Sequence, residues 1–168
     1  RPLNTPGALT LDQQRGFHLS LARALYLGQK SKGISHPTNH QNIIDEYMAA
    51  EQLNQTLEPK DIEYLCESMI GIGELEKARV RMGALPPDDR ERRTRLQREI
   101  ISSTLDNPVP NKELALDLIT AMLADPDVPS ADQNWALARQ SELRIEEGFS
   151  EQAINGLLRR LPLGSTGT

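Results

Sequence analysis

The chain has 168 residues, enough for one domain with a buried core or for a short repeat array. Apolar residues make up 38% and charged residues 26%, which argues against a disordered chain, while 4% aromatics is thin for a β-sandwich. The net charge is −5, the pI is near 5.3, and the arginines carry no interleaved aromatics, so nucleic acid is a poor fit as partner.

Ala, Leu, Glu, Gln and Arg dominate, and these favour helix. No apolar run approaches the ~20 residues of a membrane span, so no membrane insertion is expected, and no secretory signal pattern is visible. The sequence begins at Arg1 and not Met, which reads as a piece of a longer chain or a processed product. Cys66 is the single cysteine, so neither an internal disulfide nor a four-cysteine metal site can form. One thiol suits a reducing compartment such as the cytoplasm without excluding the periplasm.

In chain order, residues 1–9 hold two prolines and a glycine and read as an extended lead-in. The first helix starts at Thr10, an N-cap with Gln13 in the capping-box position, and runs to about Gly28. Its expected inward face is Phe17, Leu21, Ala24 and Leu25. Residues 30–40 read as a loop. A second helix carries Ile43, Tyr47, Ala50, Leu53 and Leu57. A third starts near Pro59, which suits a first helical turn, and carries Ile62, Leu65, Cys66, Met69 and Ile72. The fourth carries Leu75, Ala78, Met82 and Leu85.

After the break at 86–89, a fifth helix runs to about Leu105 with Leu96, Ile100 and Ile101 inward. After the break at 106–111, a sixth presents Leu114, Leu118, Ile119, Met122 and Leu123. A seventh carries Trp135, Ala138 and Ile145. An eighth starts at Ser150 as N-cap and carries Ala153, Ile154, Leu157, Leu158 and Leu161. Each set follows one face of a 3.6-residue helix. Residues 164–168 read as a flexible tail.

Two inner turns share a pattern. "GIGELEKA" and "EEGFSEQA" both contain Gly-x-x-x-x-Ala, at Gly73 to Ala78 and at Gly148 to Ala153. The glycines are 75 residues apart, two periods of about 37. In the middle repeat the matching alanine is Ala115, and Pro110 stands where the glycine should be. Proline breaks close each pair. The chain therefore resembles the tetratricopeptide repeat, a helix-turn-helix of about 34 residues, in degenerate form. The second repeat fits best, with Cys66 in place of the usual small residue. The fourth fits only in its second helix, and the first lacks the Gly-x-x-x-x-Ala pattern.

The resemblance implies an all-α fold over residues 10–163, an αα-superhelix (solenoid) of about four antiparallel helix pairs. It also implies a groove lined by the first helix of each pair, which holds a peptide or helix of a partner protein. Carried over by position, the groove residues are Lys60, Glu63 and Glu67, with Trp135 and Glu142 in the fourth repeat. Trp135 is equally expected as a core anchor.

No catalytic constellation is expected. His36 and His40 are four apart, a spacing that binds metal on a helix, but Pro37 lies between them and no third ligand follows, so they read as exposed loop. His18 reads as structural or exposed, and Cys66 as a core thiol. No metal or cofactor is expected.

Charge is unevenly spread. Residues 77–98 hold eight basic side chains, including Arg90, Arg92, Arg93, Arg95 and Arg98, against three acids, a net of +5. Residues 45–76 carry a net of −8. Residues 90–98 are expected to form one exposed basic surface. Neighbouring helices paired through surface charges explain the pattern; so does a surface for an acidic partner. The function expected is a non-catalytic protein–protein interaction module. A second reading is a structural or regulatory segment of a larger enzyme or secretion or assembly machine, and a third is a small helical enzyme or ligand-binding bundle. Oligomeric state is open.

Overall fold

The computed structural model describes residues 7–159. The lead-in up to residue 6, and Leu161 with the expected tail at 164–168, lie outside them. The described residues form seven α-helices: α1 (Leu11–Ser31), α2 (Pro37–Gln52), α3 (Pro59–Gly71), α4 (Leu75–Met82), α5 (Arg90–Leu105), α6 (Lys112–Ala124) and α7 (Ser130–Arg159). They fall into two compact units, one ending at Asn111 and one starting at Lys112.

The helix ends follow from local chemistry. Thr10 caps α1 through its hydroxyl, which accepts from Gln13 N–H at 3.1 Å, while the Gln13 side chain accepts from Thr10 N–H at 2.9 Å. Pro37 and Pro59 open α2 and α3, where a missing N–H costs nothing. Three helices close in the same way. After α1 the N–H groups of Gly33 and Ile34 reach back to Lys30 and Gln29 carbonyls. After α2 Asn54 and Gln55 reach Glu51 and Ala50, and after α3 Gly73 and Glu74 reach Ile70 and Met69. This paired closure needs a left-handed residue, supplied by Gly33 at φ 65°, Asn54 at 64° and Gly73 at 80°. Gly73 thus makes the α3–α4 turn that its place in the sequence suggested.

In the first unit each helix packs on the next, and α3 also touches both α1 and α5. The core is built from Ile43, Tyr47 and Ala50 of α2, Leu65, Cys66 and Met69 of α3, Ala78 and Met82 of α4, and Leu96, Ile100 and Ile101 of α5. Ala78 is fully buried, and the Cys66 thiol lies 3.5 Å from its carbonyl oxygen. A larger side chain there would separate α3 from α4. In the second unit α6 packs on α7 through a buried set that includes Leu114, Ala115, Leu118, Ile119, Met122, Ala136 and Leu143.

Four expectations are corrected. The seventh and eighth helices are one continuous helix, so Gly148 makes no turn and the Gly148–Ala153 pattern marks no helix pair. A glycine inside a helix costs only about 1 kcal/mol relative to alanine, and no proline stands nearby to force a break. On α7 the buried residues are Ala136 and Leu143, whereas Ala138, Ile145, Ile154, Leu157 and Leu158 are exposed. On α1 the buried face is Ala22, Tyr26 and Gln29, not the stripe through Phe17. The loop before α2 is shorter than expected: His36 is the N-cap of α2 and His40 is buried within it.

Candidate functional site

α1, α3 and α5 touch in that order, and a polar seam runs across them. It begins at Asp61, a fully buried residue of the first turn of α3. Arg23 of α1 grips it with two bonds, Nε to Oδ1 at 2.8 Å and Nη2 to Oδ2 at 2.7 Å. Tyr47 of α2 donates to Oδ1 at 2.8 Å, and the backbone N–H of Glu58 donates to Oδ2 at 3.2 Å. Arg23 also reaches Glu58 at 2.8 Å. Burial alone would raise the Asp61 pKa, but the Arg23 and Tyr47 hydrogen bonds outweigh it and hold the carboxylate below its usual range. The same burial and the Asp61 hydrogen bond push the Tyr47 phenol far up. One carboxylate therefore ties three helices together.

Next along the seam, Tyr26 of α1 stacks on Tyr64 of α3, with ring centroids 3.9 Å apart. The Tyr26 hydroxyl donates to Glu67, and Lys30 donates to the same hydroxyl at 3.1 Å. Glu67 shares a hydrogen bond with Glu99 of α5. Burial and the Glu99 charge push the Glu67 carboxyl up to about 7, and Glu99 is raised as well, chiefly by burial. Two carboxyl groups this close hold a proton between them near neutrality, because both cannot ionise at low cost.

Glu63 is the third acid of α3 on this seam. It is 8% exposed and is met by Arg92 at 3.3 Å and by Arg95. Arg92 also bonds Asp89 at 2.9 Å, Arg95 lies 3.7 Å from Glu91, and Arg93 donates to the Leu85 carbonyl at 3.1 Å. Within the basic stretch at 90–98, Arg92 and Arg95 meet the acids of α3, Arg90 and Arg95 are exposed, and Arg92, Arg93 and Arg98 are half-buried.

Of the expected groove residues, the structure gathers Lys60, Glu63 and Glu67 on α3. Lys60 is half-exposed and lies 3.7 Å from Glu58. Trp135 and Glu142 belong to α7 in the other unit. Trp135 is half-buried beneath the Arg139 guanidinium, 5.6 Å from its ring centroid, and exposed Glu142 pairs with Arg139 at 2.8 Å. Sequence reasoning missed Arg23, Tyr26, Tyr47, Asp61 and Glu99. Asp61 could have been found: it stands four residues before Leu65 on an apolar stripe, where a charge demands a partner.

His40 sits at the junction of α1, α2 and α3. Its ring is met by Ser35 Oγ at 2.7 Å and by Gln29 Nε2 at 3.2 Å, and burial lowers its pKa. His18 pairs with Glu46 of α2. The Cys66 thiol is buried, and that burial pushes it up to about 12, so it stays protonated at neutral pH. An open hollow on the other side of α3 is lined by Met69, Glu76, Lys77, Val80 and Arg81. No group of three His, Cys, Asp or Glu side chains able to hold a metal ion occurs among the described residues, and none of their helices is long and apolar enough to cross a membrane.

These features define an all-α protein of sequentially packed helices whose first unit is tied by buried ion pairs. No family model, curated protein or solved structure matches this sequence.

Proposed function

We propose that the chain is a non-catalytic protein-interaction module of the degenerate tetratricopeptide-like αα-repeat type, and that the α1–α3–α5 face receives a segment of a partner protein. The observation that carries this reading is the succession of contacts from α1 to α3 to α5, with α2 and α4 each packed between consecutive members. That succession supports reading α1, α3 and α5 as the first helices of consecutive pairs along a common surface. The face presents half-buried Tyr64 beside exposed Lys30 and half-exposed Lys60, so an aromatic surface is flanked by cations. Acidic side chains or a carboxyl end of an extended peptide fit that chemistry. The ion pairs beneath hold the three helices in register and keep the surface pre-formed.

The test is affinity capture with the parent, with a Lys60→Glu, Tyr64→Ala variant of this face, and with a Lys77→Glu, Val80→Ser variant of the opposite hollow. Circular dichroism verifies that each is folded. Partners should be lost from the first variant and kept by the second. A folded first variant that retains every partner of the parent would overturn the reading.

A further inference from the structure

The two histidines at the start of α2 both serve as hydrogen-bond acceptors. His36 is the N-cap, and its Nδ1 accepts from Thr38 N–H at 3.2 Å. His40, one turn on, is buried against Gly71 of α3. The amide nitrogen of buried Gln29 lies 3.2 Å from its Nδ1 and 3.4 Å from its Nε2, and Ser35 Oγ lies 2.7 Å from Nε2. The orientation of the Gln29 amide is fixed. Its Oε1 accepts from the backbone N–H of His36 at 3.1 Å, and a backbone N–H can only donate. The Gln29 NH2 group therefore faces the ring, and Nδ1, the nearer nitrogen, receives it. The neutral ring then carries its proton on Nε2 and donates it to Ser35.

Protonation breaks this arrangement at both rings, because an imidazolium has two N–H donors and no acceptor. At His40 a donor on Nδ1 would meet the donors of Gln29. Turning that amide round would give up the bond to His36 N–H. At His36 the N–H of Thr38 would lose its acceptor. No neighbour compensates. To the His40 ring α1 presents Gln29, α3 presents Gly71, and the turn between α1 and α2 presents Ser35 and His36, so among the described residues His36 is the titratable group that acts on it. Lys30 turns to Tyr26, and Lys32 is exposed. Glu67 and Glu74, the acids nearest Gly71 in sequence, meet Tyr26 and Lys77. The first turn of α2 holds no acid, and two positive charges there would oppose the helix dipole.

We propose that His36 and His40 form an acid-operated latch on the α1–α2 corner, closed while both rings are neutral and released when they are protonated. The same few residues hold the corner shut. The Gln29 carbonyl accepts from Ile34 N–H at 3.1 Å, and Gly33 turns the chain at φ 65°. Release loosens this turn and the first turn of α2, while the rest of α2 stays anchored by buried Ile43, Tyr47 and Ala50. The direction agrees with the surroundings of the ring. Burial, and then the charge of His36, lower the His40 pKa, so its contribution is complete above 6.5 and is lost as pH falls through the lower folded value. This inference does not depend on the α3 face.

An NMR titration of the full chain tests it. In the parent the His36 amide should lose about tenfold or more of its exchange protection as His40 titrates below 6.5, while amides in the middle of α2 keep theirs. Gln29→Glu supplies a carboxylate that accepts both from His36 N–H and from a charged Nδ1. In that variant His40 should titrate about one pH unit or more above the parent, and the amide at position 36 should stay protected. His36→Ser keeps an N-cap that accepts from Thr38 N–H at any pH, so it should fold as the parent does and still lose that protection as His40 titrates. An amide at position 36 that stays protected while His40 titrates, in the parent or in His36→Ser, overturns the proposal. So does a folded Gln29→Glu variant whose His40 titrates where the parent's does. The parent and His36→Ser decide the question even where Gln29→Glu does not fold.

Discussion

The imidazole of His40 occupies the space that a side chain at Gly71 would need: a Cβ on Gly71 would lie 2.5 Å from its Cδ2 and Nε2 atoms. The ring cannot simply swing away, because Ser35 and Gln29 hold it. Gly71→Ala should therefore destabilise the chain by roughly 1–3 kcal/mol, although alanine is the better helix former. In a His40→Ala background the same change should cost little. Urea denaturation of the four proteins of this cycle checks the coupling, and additive costs would refute the contact.

Asp61 is fully buried and Arg23 is its counter-charge. Arg23→Met leaves a buried carboxylate without its cation and should cost about 3–5 kcal/mol. Tyr47→Phe removes one hydrogen bond to a charged acceptor and should cost about 1.5–3 kcal/mol. Because the Asp61 pKa is lowered in the fold, its contribution is complete above the usual aspartate value of 3.8 and is lost as pH falls through the lower folded value. Chemical denaturation at neutral pH ranks the two variants, and equal costs would mean that the ion pair is not the dominant tie.

Glu67 has the opposite sign. Its folded pKa of about 7 lies above the usual 4.5, so the folded chain binds more protons than the unfolded one between those values. Stability from this group is complete below pH 4.5 and falls as pH rises to about 7. His40, with its lowered pKa, works the other way below pH 6.5, so the parent curve alone is ambiguous. The difference in stability between Glu67→Gln and the parent reports the Glu67–Glu99 pair, since His40 cancels. That difference should move in favour of Glu67→Gln as pH rises from 4.5 to 7, and a flat difference would reject the shared proton with Glu99.

Ala78 lies fully buried against the Cys66 thiol, while Glu76 on the same helix has a side chain that is 55% exposed. Ala78→Arg overfills the α3–α4 contact and buries a charge, and should cost more than about 3 kcal/mol. Glu76→Arg should stay within about 1 kcal/mol, the worth of its surface pair with Arg79. Thermal melts that leave Ala78→Arg unchanged would place α4 elsewhere on α3.

Most of the helical content was legible in the sequence, because the signals are local. A capping box at Thr10, the proline at 59, and apolar residues at steps of three and four act within a turn or two of chain. Gly73 was legible for the same reason, as the left-handed residue that ends α3. Gly148 was not, since a glycine signals a turn only when the chain on either side is ready to leave the helix, and around it the helix continues from Ser130 to Arg159.

What only the tertiary structure decided was which face of a helix turns inward. The periodicity of α1 correctly marks a stripe through Phe17, Leu21 and Ala24, but the fold buries the opposite side, around Ala22 and Tyr26. It can do so because acids far along the chain arrive to meet the inward polar groups: Glu46 for His18, and Asp61 for Arg23. The same holds for Glu63 and Glu67, whose place on the α3 surface was visible, but whose partners Arg92, Arg95 and Glu99 come from a helix some 30 residues later. A hydrophobic period is set by neighbours in sequence. The cost of burying a charge is set by neighbours in space, and only the packing of α1, α3 and α5 supplies them.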